Sequence, residues 1–332
     1  MEFKTYAPII IPTLNRYEHL KRLITSLLAN AEAKYSELVI GLDYPPSEKY
    51  REGYENIKEY LHTVKGFGKL TILTTNTNLG PTGNEQKLRN YVISKGYTSY
   101  IFSEDDNVMA PSFLSYMNWA LQYFKNDKQV LIISGFRRDV PLANYPNNVY
   151  KSIYYRPYGI GIWIEKDLKR QSRMCLDYIR NHVNCMPITS CFNVSKMKRA
   201  STELYFLRKR VVHGDFCTNR YLEDENMYCV VPVWPLVKNL GSGGSGLHGT
   251  NMELYNRELQ KKLDPSPVFV PIIKNSNMCT VETQSADMQE KNICSSTSNF
   301  KRNLINNLIN TYRFIQFVVY KISGRIIYYK DY

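Results

Sequence analysis

The chain has 332 residues, 43% apolar and 22% charged, with 43 Lys and Arg against 30 Asp and Glu for a formal net charge of +13. That length and balance fit one large or two ordinary domains with a buried core, and they exclude a disordered chain. No run approaches the roughly 18 apolar residues of a membrane-spanning helix, and the opening MEFKTYAPII lacks the pattern of a secretory signal.

The seven cysteines are odd in number and contain no C-x-x-C, so they read as reduced cytoplasmic thiols rather than a disulfide framework or zinc site. The charge is concentrated. Residues 166–210 hold 11 basic and 3 acidic residues, residues 301–332 hold 6 and 1, and everything else is net neutral.

In chain order, Ala7 to Ile11 is a short apolar run suited to a strand buried on both faces. A helix from about Asn15 carries Leu20, Leu23, Ile24, Leu27 and Leu28 on one face. Glu37 to Leu42 reads as a second strand ending at Asp43, after which Pro45-Pro46 breaks regular structure. Leu70 to Thr74 is a third strand, followed by a loop and a helix to about Ser94 with Thr82 and Glu85 at capping-box spacing. Ser99 to Ser103 is a fourth strand ending in Glu104-Asp105-Asp106. Pro111 suits the first turn of a helix whose core face is Phe113, Leu114, Met117 and Leu121, and Gln129 to Ser134 is a fifth strand.

Strands alternating with helices imply an α/β chain with a mostly parallel, Rossmann-like sheet flanked by helices. Ligands of such sheets bind outside the carboxyl ends of the strands, where Asp43 and the acidic triplet fall. Further on, Tyr150 to Trp163 is aromatic and Gly-rich, a strand and loop lining a pocket. Glu165 to His182 and Lys196 to Arg210 read as helices, Met227 to Val237 as one or two strands, Gly241 to Gly246 as a flexible loop, and residues 274–300 as a polar linker.

Three consecutive acids after a buried strand need neutralising. In an extended chain Glu104 and Asp106 share a face and Asp105 takes the other. One face can then hold a divalent cation while Asp105 meets a ribose hydroxyl or a helix N-terminus; Mg²⁺ or Mn²⁺ suits such hard oxygen ligands. A solvated acidic turn capping the next helix is the plainer alternative.

Taken together, IPTLNR, Asp43, NLGPTGN and SEDDNVMAPSFLSYM resemble the GT-A-fold glycosyltransferases, the opening being similar to glycosyltransferase family 2. EDDNVMAPSFLSYM is closer to the N-acetylglucosaminyltransferases that begin complex N-glycan branching, and the resemblance extends through YYRPYGIGIWI and HGDF to GSGGSGLHG, residues 5–250. It implies an inverting, metal-dependent transfer of a hexosyl or N-acetylhexosaminyl group from a nucleotide sugar, a UDP-sugar first among them, to a glycan or lipid-linked acceptor in surface polysaccharide or lipopolysaccharide assembly. It also implies that Asp106 ligates the metal, Mn²⁺ or Mg²⁺, and that Glu104 and Asp105 contact the ribose or the metal's water shell. By the same resemblance Asp43 bonds the base, Pro12, Thr13, Asn15 and Arg16 line the nucleotide pocket, and Asp215 is the general base. His213-Gly214-Asp215 offers one carboxylate where those enzymes have two adjacent acids.

Other residues are candidates on their own chemistry. His248, in a Gly-rich loop, can be a second metal ligand or a diphosphate contact, or merely solvated. Arg138 can meet phosphate or acceptor, or form a surface ion pair. Tyr155, Tyr158 and Trp163 can stack on sugars or belong to the core. Asn84 and Arg89 sit on a helix facing the expected donor site.

The domain organisation expected is a catalytic domain over 1–265, divided at 135 into nucleotide-sugar and acceptor halves, a linker over 266–300 and a basic tail helix over 301–332. That tail places Leu304, Leu308, Tyr312, Ile315 and Val319 on one helical face. It can lie on the anionic inner face of the cytoplasmic membrane, or dock on the domain. Two other classes compete: a basic nucleic-acid-binding protein, which shows no zinc knuckle or RNP-like motif here, and a sugar-phosphate nucleotidyltransferase, which lacks its Gly-rich phosphate loop after the first strand. No nucleic-acid partner is expected.

Overall fold

The apolar runs of the first half become the strands of a sheet. The computed structural model describes residues 6–137, 146–244, 250–274, 299–324 and 326. The strands are β1 (Ile9–Thr13), β2 (Glu37–Leu42), β3 (Lys69–Thr74), β4 (Ser99–Phe102), β5 (Asn107–Met109), β6 (Val130–Ser134), β7 (Val149–Ser152), β8 (Ile160–Trp163), β9 (Tyr228–Pro232) and β10 (Val237–Asn239). The α-helices are α1 (Tyr17–Leu28), α2 (Arg51–Thr63), α3 (Gly80–Ser94), α4 (Phe113–Tyr123), α5 (Ile164–Gln171), α6 (Leu176–Cys185), α7 (Val194–Lys209), α8 (Gly214–Asp224), α9 (Met252–Gln260) and α10 (Asn299–Ser323).

Eight strands form one sheet in the order β3-β2-β1-β4-β8-β6-β9-β7, and β10 pairs with β5 in a two-stranded ribbon. Neighbours are parallel across β3-β2-β1-β4 and β6-β9, and antiparallel where β8 joins β4 and β6 and where β7 joins β9. The sheet is therefore mostly parallel, as expected, but β6 does not follow β4 directly. The aromatic segment supplies β8, which inserts between them.

Alternation along the strands sorts the two faces. Ile9, Ile11, Leu38 and Ile40 join one core cluster with Leu20, Leu23, Ile24 and Leu27 of α1, Tyr54, Ile57 and Leu61 of α2, and Phe113, Leu114, Met117 and Leu121 of α4. On the other face α3 lies against Gly41, where a Cβ would meet Leu88 Cγ at 3.0 Å and collide with the Asn84 amide oxygen. Only a glycine lets α3 approach β2 that closely.

Helix boundaries differ from expectation in three places. α3 begins at Gly80, so Thr82 lies inside it, and Glu85 pairs with Arg89 at 2.7 Å instead of closing a capping box. α4 begins after Ser112, leaving Pro111 before the helix. The helix expected over 165–182 is two, α5 and α6, and the Cys175 thiol caps α6 by accepting from the Tyr178 N–H.

At the amino end of the sheet, Glu37 is buried among donors. Its Oε1 accepts from Thr71 Oγ1 and Tyr91 OH at 2.7 Å and pairs with Lys69 Nζ at 2.8 Å, while Oε2 accepts from Tyr97 OH at 2.6 Å. Burial alone would raise its pKa; the four donors outweigh that and bring it down to about 2 from 4.5. A depressed acid stabilises the fold above its unfolded pKa and loses that contribution as pH falls through the folded one. Wild-type protein should thus lose about 2–3 kcal/mol of stability between pH 4.5 and 2 that Glu37→Gln does not lose, measured by urea unfolding at both ends of that window.

The chain divides into two units: residues 1–168 with 222–282, which contain the sheet, and residues 169–221 with 283–332. Residues expected to form an acceptor half and a tail are thus redistributed, with α6, α7 and α10 in the second unit. Its core is Val183, Met186, Met197, Ala200, Leu204, Phe317 and Tyr320. Glu203 is buried there with Arg220 at 2.7 Å and His182 at 2.8 Å. Gln316 of α10 accepts from Ser201 Oγ at 2.7 Å, and Tyr320 OH donates to Asn184 at 2.9 Å. No disulfide is present, and no helix is long and apolar enough to cross a membrane, among the described residues.

Candidate active site

The acidic residues gather where β1 and β4 end. β1 continues beyond its last pairing with β4, and Ser103 N–H donates to Ile10 O at 3.2 Å. Pro12, paired only with Gly41 of β2, lies past the point where a β4 partner would need its missing N–H. The chain then turns through 103–106 before entering β5.

That turn overrides the alternation expected of an extended triplet. Asp105 and Asp106, not Glu104 and Asp106, face a common cation. The Arg16 guanidinium bridges them, bonding Asp105 Oδ1 and donating from Nη1 to Asp106 Oδ2 at 2.8 Å. Thr13 Oγ1 donates to the other Asp105 oxygen at 2.7 Å. Glu104 is only half-buried; its carbonyl accepts from Ser103 Oγ at 2.8 Å.

Asp106 is held from the opposite side by residues the sequence reading did not single out. Asn239, at the end of β10, donates from Nδ2 to Asp106 Oδ1 at 2.6 Å and to Asn107 Oδ1 at 2.9 Å. The Asn239 side-chain oxygen is fixed by Gly241 N–H at 3.1 Å, its own N–H by buried Glu258 at 3.3 Å, and Leu240 N–H bonds the Asp106 carbonyl at 2.9 Å. A Cβ on Gly241 would collide with Asp106 Oδ2 and stand 3.0 Å from its Cγ. The only sequence signal for this brace was the Asn-Leu-Gly start of the Gly-rich stretch.

Burial pushes the Asp105 carboxyl above the usual carboxylate range against the opposing pull of Arg16 and Thr13. Burial also works to lower the Arg16 pKa, but the Asp105 and Asp106 charges more than reverse it. His19, one turn further along α1, is held below its ordinary value by burial and Arg16, so it is neutral at pH 7. With both acids ionised, one guanidinium serves two carboxylates, and the locus keeps one net negative charge.

Two hard carboxylates with residual negative charge fit Mg²⁺ or Mn²⁺, provided phosphate and water complete the shell. Among the described residues no group of three or more His, Cys, Asp and Glu could hold a metal, so of these residues Asp106 and Asp105 would be the ligands. Arg138 and His248, expected at phosphate and metal, lie outside the described residues.

The remaining candidates divide. Asp43 is buried and braces the loop after β3: its Oδ1 accepts from Leu79 N–H at 2.9 Å and Tyr44 N–H at 3.0 Å, and its Oδ2 from Asn78 at 3.0 Å. Asn15 is half-buried in the turn ahead of α1. Asn84 is committed to Gly41 O at 2.7 Å. Arg89 is turned to Tyr100 OH at 3.3 Å and Asp167 at 3.6 Å, tying α3 to β4 and α5. Trp163 is buried beside Ser99 at the amino end of β4, its indole donating to Leu121 O at 3.2 Å, and Tyr155 is buried. Tyr158 packs edge-on against Phe136 at 5.0 Å, just before β8 and hence at the carboxyl edge of the sheet. Asp215 stands in the first turn of α8, in the second unit, with Asn219 Nδ2 bonded to its carbonyl at 2.8 Å. The structure thus brings Thr13, Arg16, Asp105 and Asp106 together and leaves Asn84, Arg89 and Trp163 elsewhere.

No family model and no curated protein matches the chain. Solved structures resemble part of it: S. aureus TarS 1-349, 16% identical over 60% of this chain and 65% of that one with TM-score 0.34, and S. aureus TarS, 13% over 60% and 39% with TM-score 0.33. The apo structure of the WbbM bifunctional glycosyltransferase is 12% identical over 52% of this chain and 34% of that one, TM-score 0.30. The match spans less than two thirds of each of those chains.

Proposed function

We propose that this chain is a glycosyltransferase that moves a hexosyl or N-acetylhexosaminyl group from a nucleoside diphosphate sugar, a UDP-sugar foremost, to a hydroxyl of a glycan or lipid-linked acceptor in surface polysaccharide assembly. The observation that carries this reading is the buried Asp105–Asp106 pair at the carboxyl edge of the sheet, braced by Thr13, Arg16 and Asn239.

Asp106, with Asp105, would hold Mn²⁺ or Mg²⁺; when bound, the ion supplies positive charge for the departing diphosphate. The turn Pro12-Thr13-Asn15-Arg16 lines the nucleotide side, and Asp43 keeps the loop after β3 in place around the base. Arg16 offers its guanidinium both to the carboxylates and to a diphosphate oxygen. The acceptor hydroxyl gives its proton to a general base, the role the sequence resemblance implies for Asp215, as its oxygen attacks the anomeric carbon; the bond to the diphosphate breaks, the diphosphate leaves with the electron pair, and the configuration inverts.

A panel of UDP-, GDP-, CDP- and dTDP-sugars tests the reading. One of them should be hydrolysed slowly with Mn²⁺ and not with EDTA; no metal-dependent turnover of any would sink it. Asp215→Asn should keep nucleotide binding and lower transfer by about 100-fold or more. Transfer at the wild-type rate would remove Asp215 from the mechanism.

A further inference from the structure

Among the described residues, the second unit contains an apolar surface that no other element covers. α10 docks through Gln316, Phe317 and Tyr320, yet its opposite side is also apolar. Leu308, Ile315 and Ile322 recur every seven residues and are 63%, 45% and 77% exposed, with half-buried Val318 and Val319 beside them. At 1.5 Å per residue that stripe is roughly 20 Å long, and it contains no charged residue. The short helical turn Ile188–Phe192 packs beside α10, and Phe192 at its end is 84% exposed.

Charge separates along the same division. Residues 169–221 with 283–332 contain 18 Lys and Arg against 6 Asp and Glu, so this unit has net charge +12 and the sheet unit only +1. Lys196, Lys198, Arg208, Lys209 and Arg210 are exposed on or just after α7, the helix that α10 packs against. A second copy seated on the stripe would bring two +12 units together. An anionic lipid surface satisfies both features, taking the apolar stripe into the acyl boundary while its headgroups meet the bases.

We infer that the second unit is a docking module for an anionic membrane surface, with the Leu308–Ile315–Ile322 stripe and Phe192 entering the interface. Because Phe317 and Tyr320 already hold α10, the stripe is preformed and does not fold on contact. This inference stands apart from the proposed chemistry, since vesicle binding requires neither donor nor metal.

Co-sedimentation of the full chain with phosphatidylcholine vesicles, with and without phosphatidylglycerol, tests it. Wild type should bind the anionic vesicles at least about ten-fold more tightly than neutral ones, weakening with salt. Leu308→Ser/Ile315→Ser/Ile322→Ser should lose about ten-fold or more of that binding while keeping its circular dichroism spectrum. Should the triple variant misfold, Phe192→Ser and Ile322→Ser taken singly should each weaken binding by about three-fold. The inference falls if wild type ignores both vesicles, if the folded variants bind as wild type does, if wild type is a dimer that the triple variant splits, or if it binds RNA but not vesicles.

Discussion

Arg16→Ala should be among the most damaging single substitutions in the sheet unit. It leaves Asp105 and Asp106 buried and unneutralised, with Thr13 and Asn239 as their remaining side-chain donors. Breaking a buried charge pair costs roughly 3–5 kcal/mol; because Arg16 retains some exposure, about 2–4 kcal/mol is expected by urea unfolding at pH 7. Asp105, already pushed upward by burial, should then titrate still higher. Millimolar Mn²⁺ should raise the melting temperature of the variant more than that of wild type, because the guanidinium no longer competes with the ion for the two carboxylates. Equal stability of variant and wild type would show that the bridge seen between Arg16 and both carboxylates does not hold in solution.

Gly241→Ala should reach the same carboxylate from the other side. The new methyl has no room beside Asp106 and must push it away from Arg16, or shift the β5–β10 ribbon that carries Asn239. Overpacking of this kind costs about 1–3 kcal/mol. The functional loss should be larger than that if, as proposed, nucleotide affinity depends on where Asp106 points. A fall of about 100-fold in affinity for a nucleoside diphosphate, with a folded protein, is expected from calorimetry. Gly161→Ala provides a contrast: it too is tightly packed, but against Leu121 of α4 and not Asp106, so its effect on nucleotide binding should be small.

The parts of this architecture that rest on local pattern were readable in the chain. Leu20, Leu23, Ile24 and Leu27 gave α1 its buried face, and four short apolar runs gave the parallel half of the sheet. The acidic triplet was found for the same reason, since three charges after a buried strand stand out. What could not be read was set by distant pairing. β8 enters between β4 and β6 from about sixty residues beyond β4, and Asn239 reaches Asp106 across 133 positions. α2 follows closely on the break at Pro45-Pro46, and the helical spacing of Tyr54, Ile57 and Leu61 is its local signal. Arg89 looked like a donor contact because of its helix, but buried Asp167, far along the chain, claims it.

The basic residues near 200 and those of the last helix belong to one unit, whereas the sequence suggested two separate places. α10 showed one apolar face in the sequence reading, and the structure gives it two: one docked through Phe317 and Tyr320, the other exposed at Leu308, Ile315 and Ile322.

Calorimetric titration of UDP into wild-type and Asp106→Ala protein, each with Mn²⁺ and with EDTA, decides whether Asp106 anchors a nucleoside diphosphate through a divalent ion. Wild type should bind only with Mn²⁺, and the folded Asp106→Ala variant should bind under neither condition. Equal binding by the two proteins, or wild-type binding that is indifferent to EDTA, would contradict the assignment.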